Sequence, residues 1–301
     1  MAAAQGDPEA HLVAEDEISD SEQDLESIRS ETTSVKDSIL EYRIENGRSY
    51  HKYKDGNMQH EICLLTFHER LGLAPPCDEG AKVGRVLDLG TGTGLWAVDY
   101  GNQHPEAEVS AVSLSVPPNV KFEVDDVEEE WLYSRPFDYI HLRFMNGSIS
   151  DWTKIIQKAY DHLVPGGYFE IQEGDFVIKA DDDTLPPEKP LAQFTSLIRE
   201  AAEKFGRRFA PISEIRESMV DVGFENVAQQ DFKWPSNPWP KDEHYKKIGE
   251  WNFHNFVDAA EAMALAPLTR GHDWTKEEVQ VFLVGVRKDM RDRKIHSYMP
   301  M

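Results

Sequence analysis

The chain has 301 residues, 40% of them hydrophobic, and a formal net charge of −23. That length suits one large α/β domain with additions or one domain plus a disordered arm, and the acidity argues against direct binding of nucleic acid, whose phosphates need clustered Lys and Arg. Two cysteines, Cys63 and Cys77, cannot build a disulfide framework, and neither a run of about 18 apolar residues nor a signal-peptide pattern appears, so the expectation is a soluble, unsecreted, intracellular protein, cytoplasmic or nuclear, with no membrane partner.

Residues 1–40 are rich in Glu, Asp and Ser, and the stretch Glu15–Glu26 has no aromatics. Such a segment buries too little to offset its ordering entropy, so residues 1–40 read as a disordered acidic arm or a docking tail. From residue 41 onward the chain reads as one domain. Aromatics appear at Tyr42, Tyr50 and Tyr53, and Asp55–Gly56 marks a turn. Apolar spacing predicts a helix over Met58–Leu71, stopped before Pro75–Pro76. Arg85–Leu89 reads as a strand and Leu95–His104 as a helix. Further strands are read at Val109–Leu114, Val120–Val124, Phe137–Leu142 and Tyr168–Gln172, with a helix at Asp151–Leu163. Strands alternating with helix-length connections predict a doubly wound, mostly parallel sheet. Past Gly174 the pattern turns helical, with segments at Pro190–Phe205, Ile212–Val222, Tyr245–Ala264 and Thr275–Met290. A strand is read from Phe224 to about Trp234. The cofactor half then spans about residues 80–175 and the acceptor or lid half about 176–301.

Between the first strand of the sheet and its helix lies Asp88-Leu-Gly-Thr-Gly-Thr-Gly94. Glycines let the backbone turn and let a ligand approach without a Cβ in the way. Glycine spacing alone also fits a dinucleotide-binding turn. Asp88 tilts the choice, because a carboxylate there repels a pyrophosphate but complements the ammonium of an amino-acid-type ligand. S-adenosylmethionine is therefore favoured over NAD. No metal site is read from the sequence.

Val86–Val109, Pro117–Trp131, Phe137–Trp152 and His162–Glu173 together resemble the fungal LaeA-like methyltransferases, a class I, Rossmann-like group of S-adenosylmethionine-dependent enzymes and regulators linked to secondary metabolism. Glu45–Gly56, Thr184–Pro187, Asn237–Pro240 and Arg291–Pro300 carry the likeness further, so that it covers about residue 41 to the end. The resemblance implies that Asp88, Gly90, Thr91, Gly92 and Gly94 hold the methionine portion of the cofactor. It implies that Asp125, Asp126 and Val127 flank the adenine and that Arg143 lies near the cofactor's carboxylate. Plainer readings stand beside these: a solvated acidic run for Asp125–Glu130, and a surface ion pair for Arg143.

Methyl transfer asks the protein mainly for alignment and exclusion of water. A hydroxyl acceptor also wants a base, for which His141, Tyr139 and Glu173 are candidates, each equally explicable as structural. Trp234, Trp239, Trp251 and Phe253 are candidates to line an acceptor pocket or simply to fill a core. Three features depart from the family. Ser113 stands where an acid binds the ribose, the link from the second to the third strand is about five residues, and the sequence ends at Met301, short of the family's final strand. Two readings follow: a methyltransferase with a small-molecule or protein acceptor, or a catalytically weakened regulator acting through protein partners.

Overall fold

The computed structural model describes residues 12–15, 42–45, 48–51, 56–111, 119–122 and 126–301. Ser113, Asp125 and the expected acidic arm, except for residues 12–15, lie outside them. Two short strands, β1 (Tyr42–Glu45) and β2 (Arg48–His51), pair antiparallel. Helix α1 (Gly56–Thr66) follows, five residues shorter at its C-terminus than the apolar spacing predicts. It stops because His68 and Glu69 take left-handed backbone at φ 53° and 65°, a conformation that cannot continue a right-handed helix.

The central unit then builds in order. Strand β3 (Arg85–Leu89) matches its expected bounds and leads through the glycine turn into α2 (Leu95–Gln103). Strands β4 (Glu108–Ala111), β5 (Val120–Phe122) and β6 (Phe137–Arg143) come next, then α3 (Trp152–Asp161), capped by Asp151 accepting from Lys154 N. Strand β7 (Leu163–Gln172) begins five residues earlier than expected, because Leu163 pairs with Phe137 across a bulge. The five strands form one parallel sheet in the order β5-β4-β3-β6-β7. Asn119 steadies the entry to β5 by donating from Nδ2 to the carbonyls of Gly101, His104 and Ala107, at 3.0–3.2 Å.

Strand β8 (Lys179–Ala180), helices α4 (Pro190–Lys204) and α5 (Ile212–Val222), strand β9 (Lys233–Pro235), helices α6 (Glu243–Gly271) and α7 (Lys276–Arg291), and strand β10 (Ser297–Pro300) complete the chain. The expected strand from Phe224 is confined to β9. Gly223, at φ 117°, ends α5 in the left-handed region, and β10 offers β9 only three partners. Ser297–Pro300 is the middle strand of a small antiparallel sheet, between β8 and β9. Helix α6 outruns its expected end by seven residues and carries Pro267 inside it.

Burial divides into separate clusters. One face of the parallel sheet packs Leu87, Leu89, Ile140 and Leu142 against Ile155 and Ile156 of α3 and Ile215 of α5. The other face sets Val86 and Tyr139 against Trp96, Ala97 and Tyr100 of α2. The C-terminal half has its own core, where Leu191, Phe194 and Ile198 of α4 meet Phe256, Ala260 and Ala264 of α6 and Leu283 and Val286 of α7. Among the described residues, no helix is long and apolar enough to cross a membrane.

Candidate active site

The strand order reverses between β3 and β6, and in open parallel sheets the crevice beyond the carboxyl ends at such a reversal receives the ligand. Here the glycine turn leaves β3 and Arg143 ends β6. Gly90, Gly92 and Gly94 all have positive φ, at 67°, 57° and 80°. A side chain at any of them would be strained, and one at Gly90 would also strike Met145. Thr91 closes the turn, its hydroxyl donating to the Asp88 carbonyl at 2.8 Å. Gly94 caps α2 without any side-chain hydrogen bond. A glycine cap has no side chain with which to satisfy the first-turn N–H groups, and a helix N-terminus favours electron-rich atoms.

Asp88 is buried at 5% exposure. Its Oδ1 lies 2.7 Å from His141 Nδ1, on the neighbouring strand at the same register. Trp96 stacks flat on that imidazole, with ring centroids 3.7 Å apart and planes 4° apart, and its own Nε1 donates to the Leu71 carbonyl. Asp88 Oδ2 and His141 Nε2 are both buried with no hydrogen-bond partner among the described residues. A buried carboxylate oxygen left without a donor is costly, so Oδ2 is an acceptor awaiting one.

Arg143 is half-buried and forms no ion pair among the described residues. Its Nη2 donates to His60 Nδ1 at 3.1 Å, and it stands beside the Cys63 thiol, which burial pushes up while the guanidinium pulls it down. Val127 is half-buried against the α3 side of the sheet, its carbonyl accepting from Trp131 Nε1. Asp126 is exposed, with Oδ1 accepting from Glu128 N at 2.9 Å.

The three base candidates are each engaged elsewhere. Tyr139 is fully buried, donates to Glu170 Oε2 at 2.9 Å and accepts from Cys77 Sγ. Burial and the adjacent Glu170 raise its hydroxyl well above the ordinary tyrosine value. His141 is bound to Asp88. Glu173 accepts from the backbone N–H groups of Met145 and Asn146 and so holds the loop after β6; burial pushes its carboxyl up to about 8. Of the four aromatics expected to line a pocket, Trp234 and Trp239 are core, their indoles donating to Thr66 Oγ1 and the Ser297 carbonyl.

Sequence reading missed His60, Trp96 and Glu170. His60 shares the helical phase of Cys63, Leu64 and Phe67, so a polar residue on the apolar stripe of α1 was the available signal. Glu170 stands between Phe169 and Ile171 in a strand; its carboxylate gathers the N–H groups of Leu73 and Ala74 and the Tyr139 hydroxyl.

A family model described as "Methyltransferase domain" matches residues 55–229. The methyltransferase PytC of Aspergillus terreus is 37% identical, over 89% of this chain and 88% of its own length. The secondary metabolism regulator LAE1 of Cochliobolus heterostrophus is 34% identical, over 85% and 91%. The protein-methionine methyltransferase LaeA of Emericella nidulans is 30% identical, over 86% and 74%. The chain belongs to the LaeA-like methyltransferase family. As a class I methyltransferase it uses S-adenosylmethionine, and the crevice suits that cofactor. Gly90, Gly92 and Gly94 put no side chain on the turn, Asp88 Oδ2 is buried without a hydrogen-bond partner among the described residues, and Arg143 forms no ion pair among them.

Proposed function

We propose that this methyltransferase serves fungal secondary metabolism, passing the methyl group of S-adenosylmethionine to a small-molecule or protein acceptor. The observation that carries this reading is the placement beside the glycine turn of two groups of opposite sign: Asp88 Oδ2, buried without a hydrogen-bond partner among the described residues, and the Arg143 guanidinium, which forms no ion pair among them. They complement the ammonium and carboxylate of an α-amino acid. In this reading Asp88 takes the ammonium and Arg143 the carboxylate. Gly90, Thr91, Gly92 and Gly94 bring backbone against the same portion, and Asp125, Asp126 and Val127 flank the adenine. Bound there, the sulfonium supplies an activated methyl group and its own leaving group. Residues 80–175 form the cofactor half, and the separate helical core of residues 176–301 supplies the acceptor side.

His141, Tyr139 and Glu173 are all held in structural contacts, which supports an acceptor whose lone pair is already available at neutral pH, such as a thioether, over one that must first lose a proton. The Emericella relative named for protein methionine acts on such an atom. The second reading, a weakened methyltransferase acting as a regulator through protein partners, draws on the same engagement of the candidate bases and on the relatives named as regulators.

Calorimetric titration with S-adenosylmethionine and S-adenosylhomocysteine tests the site. Asp88→Ala and Gly92→Val should abolish binding while the far-UV circular dichroism stays near that of the wild type. Unchanged affinity in both variants would sink the reading.

A further inference from the structure

Arg143 ends β6, forms no ion pair among the described residues, and is held from outside β6. Guanidinium groups donate hydrogen bonds and do not accept them. His60 Nδ1, 3.1 Å from Arg143 Nη2, must therefore be the bare nitrogen of that ring. The ring proton then sits on Nε2, which lies 3.0 Å from Asp99 Oδ2 and donates to it. Both nitrogens of an imidazole that is only 2% exposed are used, and Asp99 fixes the tautomer that Arg143 requires. The relay joins three elements: Asp99 on α2, His60 on α1 and Arg143 at the end of β6.

An arginine side chain loses rotamer freedom when it engages a ligand, and one already held in place gives up less on binding. We infer that His60 is a positioning residue for the cofactor site: it takes one N–H of Arg143 and leaves the rest of the guanidinium facing the carboxylate at the cofactor's amino-acid end. This rests on the cofactor reading above. It makes α1, which lies ahead of the glycine turn in the chain, part of the affinity for that end of the ligand. A merely structural His60, pinning α1 to α2, would instead affect every ligand and every background alike.

Two ligands separate these cases. S-adenosylhomocysteine and 5′-methylthioadenosine share the adenosine and the thioether, but only the first has the amino-acid end. In calorimetry on the full chain, His60→Leu should weaken S-adenosylhomocysteine about tenfold, the scale of one modest hydrogen bond, and leave 5′-methylthioadenosine unchanged. In an Arg143→Leu background the His60 effect should vanish, since the cycle removes the group through which it acts. His60→Asn can place an acceptor oxygen where Nδ1 stands and should stay near wild type, whereas His60→Gln keeps only the Asp99 side and should bind about tenfold more weakly. The Asn and Gln pair carries the test if the Leu variant fails to fold. Equal losses for both ligands, or a His60 effect that persists without Arg143, overturns the inference and leaves the cofactor reading standing. Absence of S-adenosylhomocysteine binding by the wild type overturns both.

Discussion

On one face of the parallel sheet, Leu87, Leu89, Ile140 and Leu142 pack against Ile155 and Ile156 of α3 and Ile215 of α5. On the opposite face, the same strands and β7 present Asp88, Tyr139, His141, Glu170 and Gln172 beneath α2 and the segment around Leu71–Cys77. Asp88 Oδ2, His141 Nε2 and Gln172 Oε1 on this second face are buried without partners among the described residues. An apolar filling would be more stable than a half-satisfied polar one. The difference teaches where the sheet trades stability for a site. The apolar face answers to packing volume and, in the cofactor reading proposed above, the polar face answers to a ligand, so mutations on the two should have separable effects.

The largest expected effect concerns Glu173, at the carboxyl end of the sheet. Burial raises its folded pKa to about 8 from an ordinary value of 4.5, against the opposing pull of backbone N–H groups from Met145, Asn146 and Gly174. A raised folded pKa means that the native state binds the proton more tightly than the unfolded chain. The stabilisation is complete below about pH 4.5 and is lost as pH rises through about 8. At about 1.4 kcal/mol per unit, the limit is roughly 5 kcal/mol. Chemical denaturation of wild type and Glu173→Gln from pH 5 to 8.5 should show the wild type losing ground steadily to the variant. A stability difference that does not change with pH would mean that the folded pKa of this carboxyl is not raised above its unfolded value.

Next comes the apolar face itself. Ile156 on α3 is fully buried there. Ile156→Ala should cost about 2–5 kcal/mol through lost burial and the cavity left behind. The folded fraction should keep its affinity for S-adenosylhomocysteine, because Asp88 and Arg143 stand on the opposite face of the sheet. A parallel fall in affinity would break the separation of the two faces.

The periodic parts of the fold were legible in the sequence. Arg85–Leu89 is a short apolar run closed by glycines, and its bounds agree with β3 to the residue. The period of α5 likewise fixed Ile212–Val222, because a glycine follows its last apolar position. The misses share a cause, which is that tertiary pairing decides ends that local pattern does not. Phe224–Trp234 has strand-like composition, but β10 is short and leaves most of it unpaired. The site divides in the same way. The glycine turn announces itself through spacing, whereas His60 and Glu170 lie 83 and 82 residues from Arg143 and Asp88, and only the sheet and α1 bring them into one polar layer.

The smallest expected effect lies at the N-terminus, in the stretch read as an acidic arm. Ala14 bridges Pro240 antiparallel, Lys241 N donates to the Val13 carbonyl and Glu15 N to the Trp239 carbonyl. Glu15 lies between two cations, Lys246 Nζ at 2.9 Å and Arg293 Nη2 at 2.7 Å. The hydrogen bond from Lys246 is the main influence holding its carboxyl below the ordinary value, so the clamp is present above the usual carboxylate range and weakens as pH falls through the lowered one. All three side chains are about one-quarter to one-third exposed, and pairs of that kind contribute at most about 1 kcal/mol, less in salt. Glu15→Gln should therefore leave the midpoint of global unfolding almost unmoved. Its signature is local: amide exchange at Glu15 should speed up severalfold at low ionic strength, and the gap between variant and wild type should shrink in 0.5 M salt. Equal exchange at low salt would assign the docking to the backbone bridge alone, and a large shift in the global midpoint would place these residues in the folded core.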